Sequence, residues 1–397
     1  MKINLNESTL EQDELDSIIA LFKTNQLTMG SKCIEFEKLF ASIIGVKHAL
    51  MVNSGSSANL LAFFAAANPV VNELDVLPAI LPGSEIIVPA LTWSTSVWPI
   101  IQIGCVPVFV YSNPNTLQMD LGAAETAITS KTKAICAPHI LGNAINLSQL
   151  NYLTNKYNLW LIEDACESLG VKNHGKFVGT NGHFGTYSFY FSHHITTIEG
   201  GMIVTNHDAL ADLIRSMRAH GWVRHMYDAK NIIKNNPEFD PRFLFISTGF
   251  NMRPTEINAV LGISQLKKLD MFNQKRNLIK KKWDSDFQKL NHTGRLKSIE
   301  ITDGTEEALF GYPILCESDT LKKNIQQYLE NNTIETRPII CGNLTRQPAL
   351  KYYSHRIHGE LKGADQVMDC GLYWGIHPMM TPLQIDYVSN TVLGFFK

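Results

Sequence analysis

Short apolar runs alternate with longer stretches of helical periodicity through the first two-thirds of the chain. Brief runs rich in Val, Ile and aromatic residues predict buried strands. Such strands are predicted over Glu85–Ala90, Val106–Tyr111, Ala134–Leu141, Trp160–Ala165, Gly185–Phe191 and Met202–Thr205. Apolar residues spaced three and four apart predict helices. These helices are predicted over Ser57–Ala67, Leu121–Thr129, Leu147–Tyr157, Asp208–His220 and Glu256–Leu266.

The alternation of strands and helices predicts an α/β fold class with a central, mostly parallel sheet. Ligands of such sheets bind at the carboxyl ends of the strands. Trp93 and His193 each follow a predicted strand, and Asp164 lies at the end of one. The pattern therefore places these three residues at the edge of the sheet where a ligand is expected.

The pattern changes near residue 269, where a long basic helix is predicted over Asp270–Leu290 and shorter mixed segments follow. We therefore predict two domains, a large α/β domain over residues 1–268 and a smaller C-terminal α+β domain over residues 269–397. The segment Tyr227–Arg242 is rich in Asn, Lys and Pro. This composition predicts an exposed loop.

Composition mainly excludes classes of function. With 45% hydrophobic and 18% charged residues among 397, the chain is typical of a globular protein with an ample core. The net charge of −2 gives no reason to expect a nucleic-acid or membrane-surface partner. The chain shows no signal-peptide pattern and no apolar run long enough to span a membrane, so we expect a cytoplasmic protein. The seven cysteines are scattered, which predicts reduced core cysteines and no zinc or iron–sulfur site.

Three motifs have both a chemical and a structural interpretation. The run N-S-G-S-S-A-N, from Asn53 to Asn59, precedes a helix whose first N–H groups can bind a phosphate, although an ordinary helix cap gives the same pattern. Asp164 can pair with a pyridinium nitrogen or cap the next helix. Trp93 can stack on a flat ring or pack in the core.

The remaining candidates are histidines and arginines. Adjacent side chains such as those of His193 and His194 point in different directions, so we do not expect them to bind one metal ion. Basic side chains within one short run can hold a diphosphate, or they can form a solvated helix face. That run holds Arg218, His220 and Arg224, and a further arginine, Arg337, precedes a proline.

Taken together and in this order, the motifs resemble the sugar aminotransferase family of the DegT/DnrJ/EryC1/StrS type, whose members use pyridoxal 5′-phosphate (PLP). The resemblance runs from about Thr28 to Pro378 and includes N-S-G-S-S-A-N, E-D-A-C-E, S-F-Y-x-S-x-H-I and G-F-N-M-R-P-T-E. It implies a PLP-dependent aspartate aminotransferase-like fold (fold type I). It also implies a homodimer whose two chains share their active sites.

The resemblance also implies roles for single residues. Asp164 would pair with the pyridine nitrogen of the cofactor, Trp93 would stack on its ring, and Glu167 would face its ring hydroxyl. The other expected cofactor-binding residues are Gly55, Ser56, Ser188 and, reaching across the dimer, Asn251. The expected substrate-binding residues are Arg218, His220, Arg224 and Arg337.

His193 stands where the resemblance calls for the lysine that binds PLP as an imine, and no lysine occurs between Lys176 and Lys230. This replacement resembles a branch of the family that removes a hydroxyl group instead of installing an amine. It implies that His193 is the catalytic acid/base, while His194 is expected to be structural.

The implied activity is a C3-dehydratase that uses PLP or pyridoxamine 5′-phosphate in deoxysugar biosynthesis for a surface polysaccharide. Its expected substrate is a nucleotide-linked 4-keto-6-deoxy sugar, GDP-4-keto-6-deoxy-D-mannose or a heptose analogue. L-glutamate is the expected amino donor, and a 3-deoxy-4-keto sugar and ammonia are the expected products. Two alternatives stay open, a CDP-4-keto-6-deoxyglucose-type 3-dehydrase coupled to an iron–sulfur reductase and a noncatalytic sugar-nucleotide-binding member of the fold.

Overall fold

The computed structural model describes residues 1–397. Its helices are α1 (Gln12–Phe22), α2 (Ser31–Ile44), α3 (Gly55–Ala66), α4 (Trp98–Gln102), α5 (Leu121–Thr126), α6 (Leu147–Tyr157), α7 (Asp208–Met217), α8 (Ala229–Asn235), α9 (Glu256–Asp286), α10 (Gln288–Thr293), α11 (Asp319–Asn331), α12 (Lys362–Cys370) and α13 (Pro382–Phe395). None of these helices is long and apolar enough to cross a membrane.

The strands form three sheets. They are β1 (His48–Val52), β2 (Glu85–Pro89), β3 (Val106–Val110), β4 (Thr132–Pro138), β5 (Trp160–Asp164), β6 (Lys172–Asn173), β7 (Lys176–Phe177), β8 (Phe184–Ser188), β9 (Gly201–Thr205), β10 (Leu296–Ser298), β11 (Thr305–Glu306), β12 (Gly311–Cys316), β13 (Thr336–Pro338), β14 (Arg356–Ile357) and β15 (Gly371–Gly375).

The large sheet has eight strands in the order β1-β9-β8-β5-β4-β2-β3-β14. The strands from β8 to β14 pair in parallel, and β9 runs antiparallel to both of its neighbours. Alternate side chains of one strand enter different cores: Ile86 and Val88 pack on the side of α3 and α7, and Ile87 packs on the side of α5 and α6. The predicted α/β fold class with its mostly parallel sheet is confirmed.

The second sheet has the order β10-β12-β15-β13 and is antiparallel, and β11, β6 and β7 form a third, small sheet. Residues of the second sheet such as Trp374 belong to the same hydrophobic cluster as Ile86 of the large sheet. The N-terminal Ile3 forms a parallel bridge with Ile334, beside this sheet. Both sheets therefore contribute to one continuous hydrophobic cluster.

The six predicted strands correspond to β2, β3, β4, β5, β8 and β9 with small shifts at their ends, while β1 was not predicted. The two helices predicted on either side of residue 268 are wrong as separate elements, because α9 is continuous through this point and no Gly or Pro interrupts it there. The domain boundary at 268/269 stays a prediction. The segment Tyr227–Arg242 is exposed as predicted, but it contains the short helix α8.

Candidate active site

A cleft of about 810 Å³ opens at the carboxyl ends of the central strands. Its floor includes Asp164 at the end of β5 and Ser188 at the end of β8, and one rim carries Trp93 after β2. The facing wall carries Arg337 of β13 and Tyr373 of β15, from the second sheet. A volume of this size is typical of sites that enclose a small ligand.

The N-terminus of α3 forms one end of the cleft. The Ser54 side chain caps the helix by accepting a hydrogen bond from the Ser57 N–H at 3.1 Å. A Cβ atom on Gly55 would lie 2.5 Å from the Cβ of Ser188, so only glycine lets the helix approach this strand so closely. Gly55, Ser56 and the Ser188 side chain thus surround a helix N-terminus whose first N–H groups have no partner within the helix. This arrangement suits a phosphate group.

Asp164 is held at the floor of the cleft by three hydrogen bonds. Its Oδ2 accepts from the Asn59 side chain and from the Ser96 hydroxyl, both at 2.7 Å, and its Oδ1 accepts from the Cys166 N–H at 3.1 Å. The Asn59 side chain in turn accepts a hydrogen bond from Thr186. These donors fix the orientation of the carboxylate, which can pair with a protonated ring nitrogen.

Glu167 lines the same floor, and its Oε2 accepts a hydrogen bond from the Leu141 N–H at 3.0 Å. Burial raises the pKa of Glu167 to about 7, the hydrogen bond from Leu141 opposes this rise, and the charge of Asp164 adds to it. Near neutral pH the Glu167 carboxyl can therefore both donate and accept a proton.

Trp93 is 53% exposed although it is a large aromatic residue, and its ring belongs to the cleft wall. The alternative interpretation, in which Trp93 packs in the core, is therefore wrong. Its position in the same cleft as Asp164 and as a helix end that suits a phosphate fits a flat, charged pyridine ring with a phosphate arm. The residues present therefore fit PLP.

His193 and His194 have different environments. Nδ1 of His193 is buried without a partner, so Nε2 is the ring nitrogen that opens on the cleft. Burial, with the charge of Arg276 as a second cause, lowers the pKa of His193 to about 4, so its ring is an uncharged base at neutral pH. His194 is fully buried and donates from Nε2 to the Ala308 carbonyl at 2.7 Å, which gives it a structural contact.

The basic residues predicted to bind substrate do not lie together. Arg337 lines the cleft, whereas His220 and Arg224 are exposed outside it. The assignment of Arg218 as a substrate-binding residue is wrong, because its side chain is buried in an ion pair with Glu37 at 2.6 Å. A short run of basic residues does not reveal that one of them faces the core.

Comparison with known proteins identifies the family. The sequence matches the DegT/DnrJ/EryC1/StrS aminotransferase family over residues 8–393. The chain belongs to this family. It is 36% identical to GDP-4-keto-6-deoxy-D-mannose 3-dehydratase of Yersinia pseudotuberculosis over 394 residues, which is 97% of each chain.

Two similar crystal structures contain ligands. One is a GDP-4-keto-6-deoxymannose-3-dehydratase in which a histidine is replaced by asparagine, with bound GDP-perosamine; it is 34% identical, covers 98% of this chain and 100% of its own, and has a TM-score of 0.90. The other is the same enzyme with a trapped PLP-glutamate geminal diamine, 33% identical over 98% of this chain and 100% of its own, with a TM-score of 0.91. The predicted fold type I is thereby confirmed.

Within this family fold, several residues line the cleft that the sequence did not indicate. The Asn6 side chain donates to the Phe191 carbonyl at 3.1 Å, and the Leu5 N–H donates to Glu335 at 3.1 Å. Glu335 also pairs with Arg337 at 2.7 Å. The one sequence feature that could have indicated Glu335 is its position two residues before Arg337. No sequence feature indicates Asn6, which reaches the cleft because Ile3 pairs with Ile334.

Proposed function

We propose that the protein is a PLP-dependent 3-dehydratase that removes the C3 hydroxyl of GDP-4-keto-6-deoxy-D-mannose, with L-glutamate as the amino donor. The observation that carries this proposal is that no lysine lines the cleft and that His193 lines it at the position where the family has its lysine. An aminotransferase of this family without a lysine has no group that can bind PLP as an imine. The named relatives and their bound ligands support the same substrate class.

The cofactor-binding residues are assigned from the geometry of the cleft. Gly55, Ser56 and Ser188 would hold the phosphate, Asp164 the ring nitrogen and Trp93 one face of the ring. When bound, PLP carries the amino group of glutamate to the 4-keto carbon and stores the electron pair that the elimination requires. Glu167 would hold a proton opposite the ring hydroxyl, a role that suits its raised pKa.

His193 is assigned as the acid/base. Its Nε2 is the open nitrogen, so it accepts the proton there and can return it to the departing C3 hydroxyl. The overall reaction balances: the C3 hydroxyl leaves as water, glutamate supplies two electrons and becomes its 2-oxo acid, and one water is consumed when ammonia is released. A lysine amine at this position would instead favour completion of a transamination.

The test incubates the enzyme with PLP, L-glutamate and GDP-4-keto-6-deoxy-D-mannose and follows the product by mass spectrometry. We expect a product that has lost its C3 oxygen, with ammonia released. A product that keeps this oxygen and gains nitrogen would refute the proposal, and turnover that requires an iron–sulfur reductase would favour the reductase-coupled alternative. His193→Asn should abolish dehydration while PLP still binds, as read by its absorbance at about 330–390 nm.

Arg337 is the residue we assign to the anionic part of the substrate. It is the arginine that lines the cleft, and its guanidinium still has N–H donors beyond those used by Glu335 and the Thr336 carbonyl. A carboxylate or a diphosphate can accept from these donors. Arg337→Met should therefore raise the KM for glutamate or for the nucleotide sugar much more than it lowers kcat.

We further propose a cytoplasmic homodimer with shared active sites. Asn251, His220 and Arg224 are exposed and lie outside the cleft of their own chain. Asn251 pairs through its backbone with Ala219, so the three residues belong to one surface region. A cleft that these three residues help to form would therefore belong to a second chain.

A mixing experiment tests shared sites. The variants His193→Asn and Asn251→Ala are each expected to be inactive. In a mixed dimer with shared sites, one site carries both defects and the other carries none, so activity returns after subunit exchange. If each chain completes its own site, the mixture stays inactive.

A further inference from the structure

The second sheet has one face in the core and one face in the cleft. Along β15, Leu372 and Trp374 are buried in the hydrophobic core, whereas Tyr373 between them lines the cleft. Along β13, Thr336 is buried and Arg337 lines the cleft. This alternation is expected because successive side chains of a strand point to opposite faces of its sheet. Tyr373 therefore belongs to the cleft face, together with Arg337.

Tyr373 and Arg337 are direct neighbours on this face. They stand opposite each other in the antiparallel pairing of β13 with β15. The Cβ atoms of such a pair lie about 4.5–5.5 Å apart. The Arg337 guanidinium donates to Glu335 at 2.7 Å and to the Thr336 carbonyl at 2.9 Å, and it has further N–H donors. A phenol therefore stands in the cleft wall beside a guanidinium whose orientation is fixed and whose donors are not all used.

Two glycines make room on the cleft face. A Cβ atom on Gly311 of β12 would lie 2.3 Å from Cδ2 of Tyr373, so the tyrosine ring lies against a strand position that has no side chain. A Cβ atom on Gly375, at the end of β15, would lie 2.5 Å from the Asn4 carbonyl oxygen, where the N-terminal segment crosses the sheet. Any side chain at Gly311 would displace the ring. The backbone of the second sheet therefore defines the place of Tyr373.

The protein itself does not use the hydroxyl of Tyr373. Neither a side chain nor a carbonyl of the chain accepts a hydrogen bond from it. By contrast, Tyr312, on the core face of the neighbouring strand β12, donates its hydroxyl to Asp284 at 2.8 Å. Burial, with the charge of Glu167 as the second cause, raises the pKa of Tyr373 to about 12, so the phenol keeps its proton at neutral pH. A hydrogen-bond donor without a partner in the protein is therefore available to a ligand in the cleft.

We propose that Tyr373 is a substrate-binding residue whose hydroxyl donates a hydrogen bond to the same oxyanion that Arg337 holds. The inference rests on the proposed function, which assigns Arg337 to the anionic part of the substrate. Both substrates of the proposed reaction carry an oxyanion, a carboxylate in L-glutamate and a diphosphate in the nucleotide sugar. Either group has several acceptor oxygen atoms, so one can accept from the phenol while others accept from the guanidinium.

Tyr373→Phe removes the hydroxyl and keeps the ring against Gly311. We expect the KM for L-glutamate, for the nucleotide sugar or for both to rise about tenfold or more, while kcat falls by less than about threefold, because a hydrogen bond to a charged group is lost. The urea midpoint should stay unchanged, since the hydroxyl has no partner in the protein. Tyr312→Phe is the matched control. It removes a phenol from the core face of the same sheet and should lower the urea midpoint while both KM values stay unchanged.

Binding without turnover locates the oxyanion. PLP-loaded protein is titrated in a calorimeter with glutarate, which lacks the amino group of glutamate, and with GDP-mannose, which lacks the 4-keto group. If Tyr373→Phe weakens only glutarate binding, the oxyanion is the carboxylate, and if it weakens only GDP-mannose binding, the oxyanion is the diphosphate. Weaker binding of both probes means that one subsite serves both substrates. Each of these results supports the inference.

The double variant Tyr373→Phe/Arg337→Met tests whether the two residues hold one anion. If they do, Tyr373→Phe raises KM less in the Arg337→Met protein than in the wild type. Unchanged KM values and probe affinities in Tyr373→Phe, or KM rises that simply multiply in the double variant, would overturn the inference. If the chain shows no dehydratase activity but Tyr373→Phe still weakens the binding of a probe, the inference is supported and the proposed function is rejected.

Discussion

Glu167→Gln removes a carboxyl group that the fold keeps protonated up to near neutral pH. The substitution preserves the shape of the side chain, and an amide oxygen can still accept the hydrogen bond from the Leu141 N–H. Burial is the main reason why the pKa of Glu167 rises from 4.5 to about 7. The substitution therefore isolates the energetic effect of one proton in the cleft.

The sign of this effect follows from proton linkage. Between pH 4.5 and about 7, the folded chain holds the proton of Glu167 and the unfolded chain does not, so rising pH weakens the folded state. At about 1.4 kcal/mol per pH unit, the pKa rise corresponds to about 3 kcal/mol of lost stability. Glutamine binds no proton in either state. The stability of Glu167→Gln relative to the wild type should therefore increase by about 3 kcal/mol between pH 4.5 and pH 8.

Urea unfolding of the cofactor-free proteins at a series of pH values measures this difference. Every other group titrates in both proteins, so its contribution cancels. Glu335→Gln, on the exposed wall of the cleft, controls for the general loss of a carboxylate. A difference between Glu167→Gln and the wild type that is constant within about 0.5 kcal/mol over this range would show that burial does not raise the pKa of Glu167.

Three further substitutions test the contacts around the cleft. Gly55→Ala places a methyl group 2.5 Å from the Cβ of Ser188 and should weaken PLP binding at least about tenfold, which an absorbance titration measures; unchanged affinity would contradict the proposed phosphate site. Ser96→Ala removes a donor to Asp164 and should cost about 1–3 kcal/mol of unfolding free energy, whereas Ser94→Ala should cost almost nothing. Arg218→Met removes the closer of the two arginines that pair with the buried Glu37, since Arg215 still lies 3.7 Å from it, and should cost about 1–3 kcal/mol by urea unfolding; the exposed Arg224→Met should have no such effect.

The large sheet was predictable because its strands are buried on both faces. Strands such as β2 and β5 read as continuous apolar runs between helical patterns, and parallel pairing brings Asp164, Ser188 and Trp93 to one edge. The strand β1 was not predicted: it has only five residues and leads directly into the Asn53–Asn59 motif, so no separate strand pattern stands out. The local sequence pattern was therefore sufficient to predict the residues on the floor of the cleft.

The opposite wall depends on contacts between distant parts of the chain. The buried partner of Arg218 is Glu37, 181 positions away, and no local pattern distinguishes Arg218 from the exposed Arg224. Arg276 lies in a basic helix whose sequence gives no sign that one arginine enters the core. The buried side of α9 is set by distant parts of the chain, because α1 and α2 cover its first turns and Trp283 in its last turns packs on Tyr312 and Trp374 of the second sheet.

Leu141 shows how the two walls of the cleft are joined. Its φ of 51° is left-handed, a conformation that costs a residue other than glycine roughly 1–2 kcal/mol. In this conformation its N–H donates to Glu167 at 3.0 Å and its carbonyl accepts from the Phe310 N–H at 3.2 Å. Gly142 follows with a φ of 84°, and a Cβ there would lie 1.9 Å from the Ala308 carbonyl oxygen.

The strain at Leu141 persists because both of its backbone groups have partners on opposite sides of the cleft. Through Glu167 it contacts the group assigned to the cofactor ring, and through Phe310 it contacts the aromatic ring that lies against His193. A relaxed backbone at Leu141 would release both contacts at once. The protonation of Glu167 and the placement of His193 are therefore expected to respond together to any change that moves the second sheet relative to the large one.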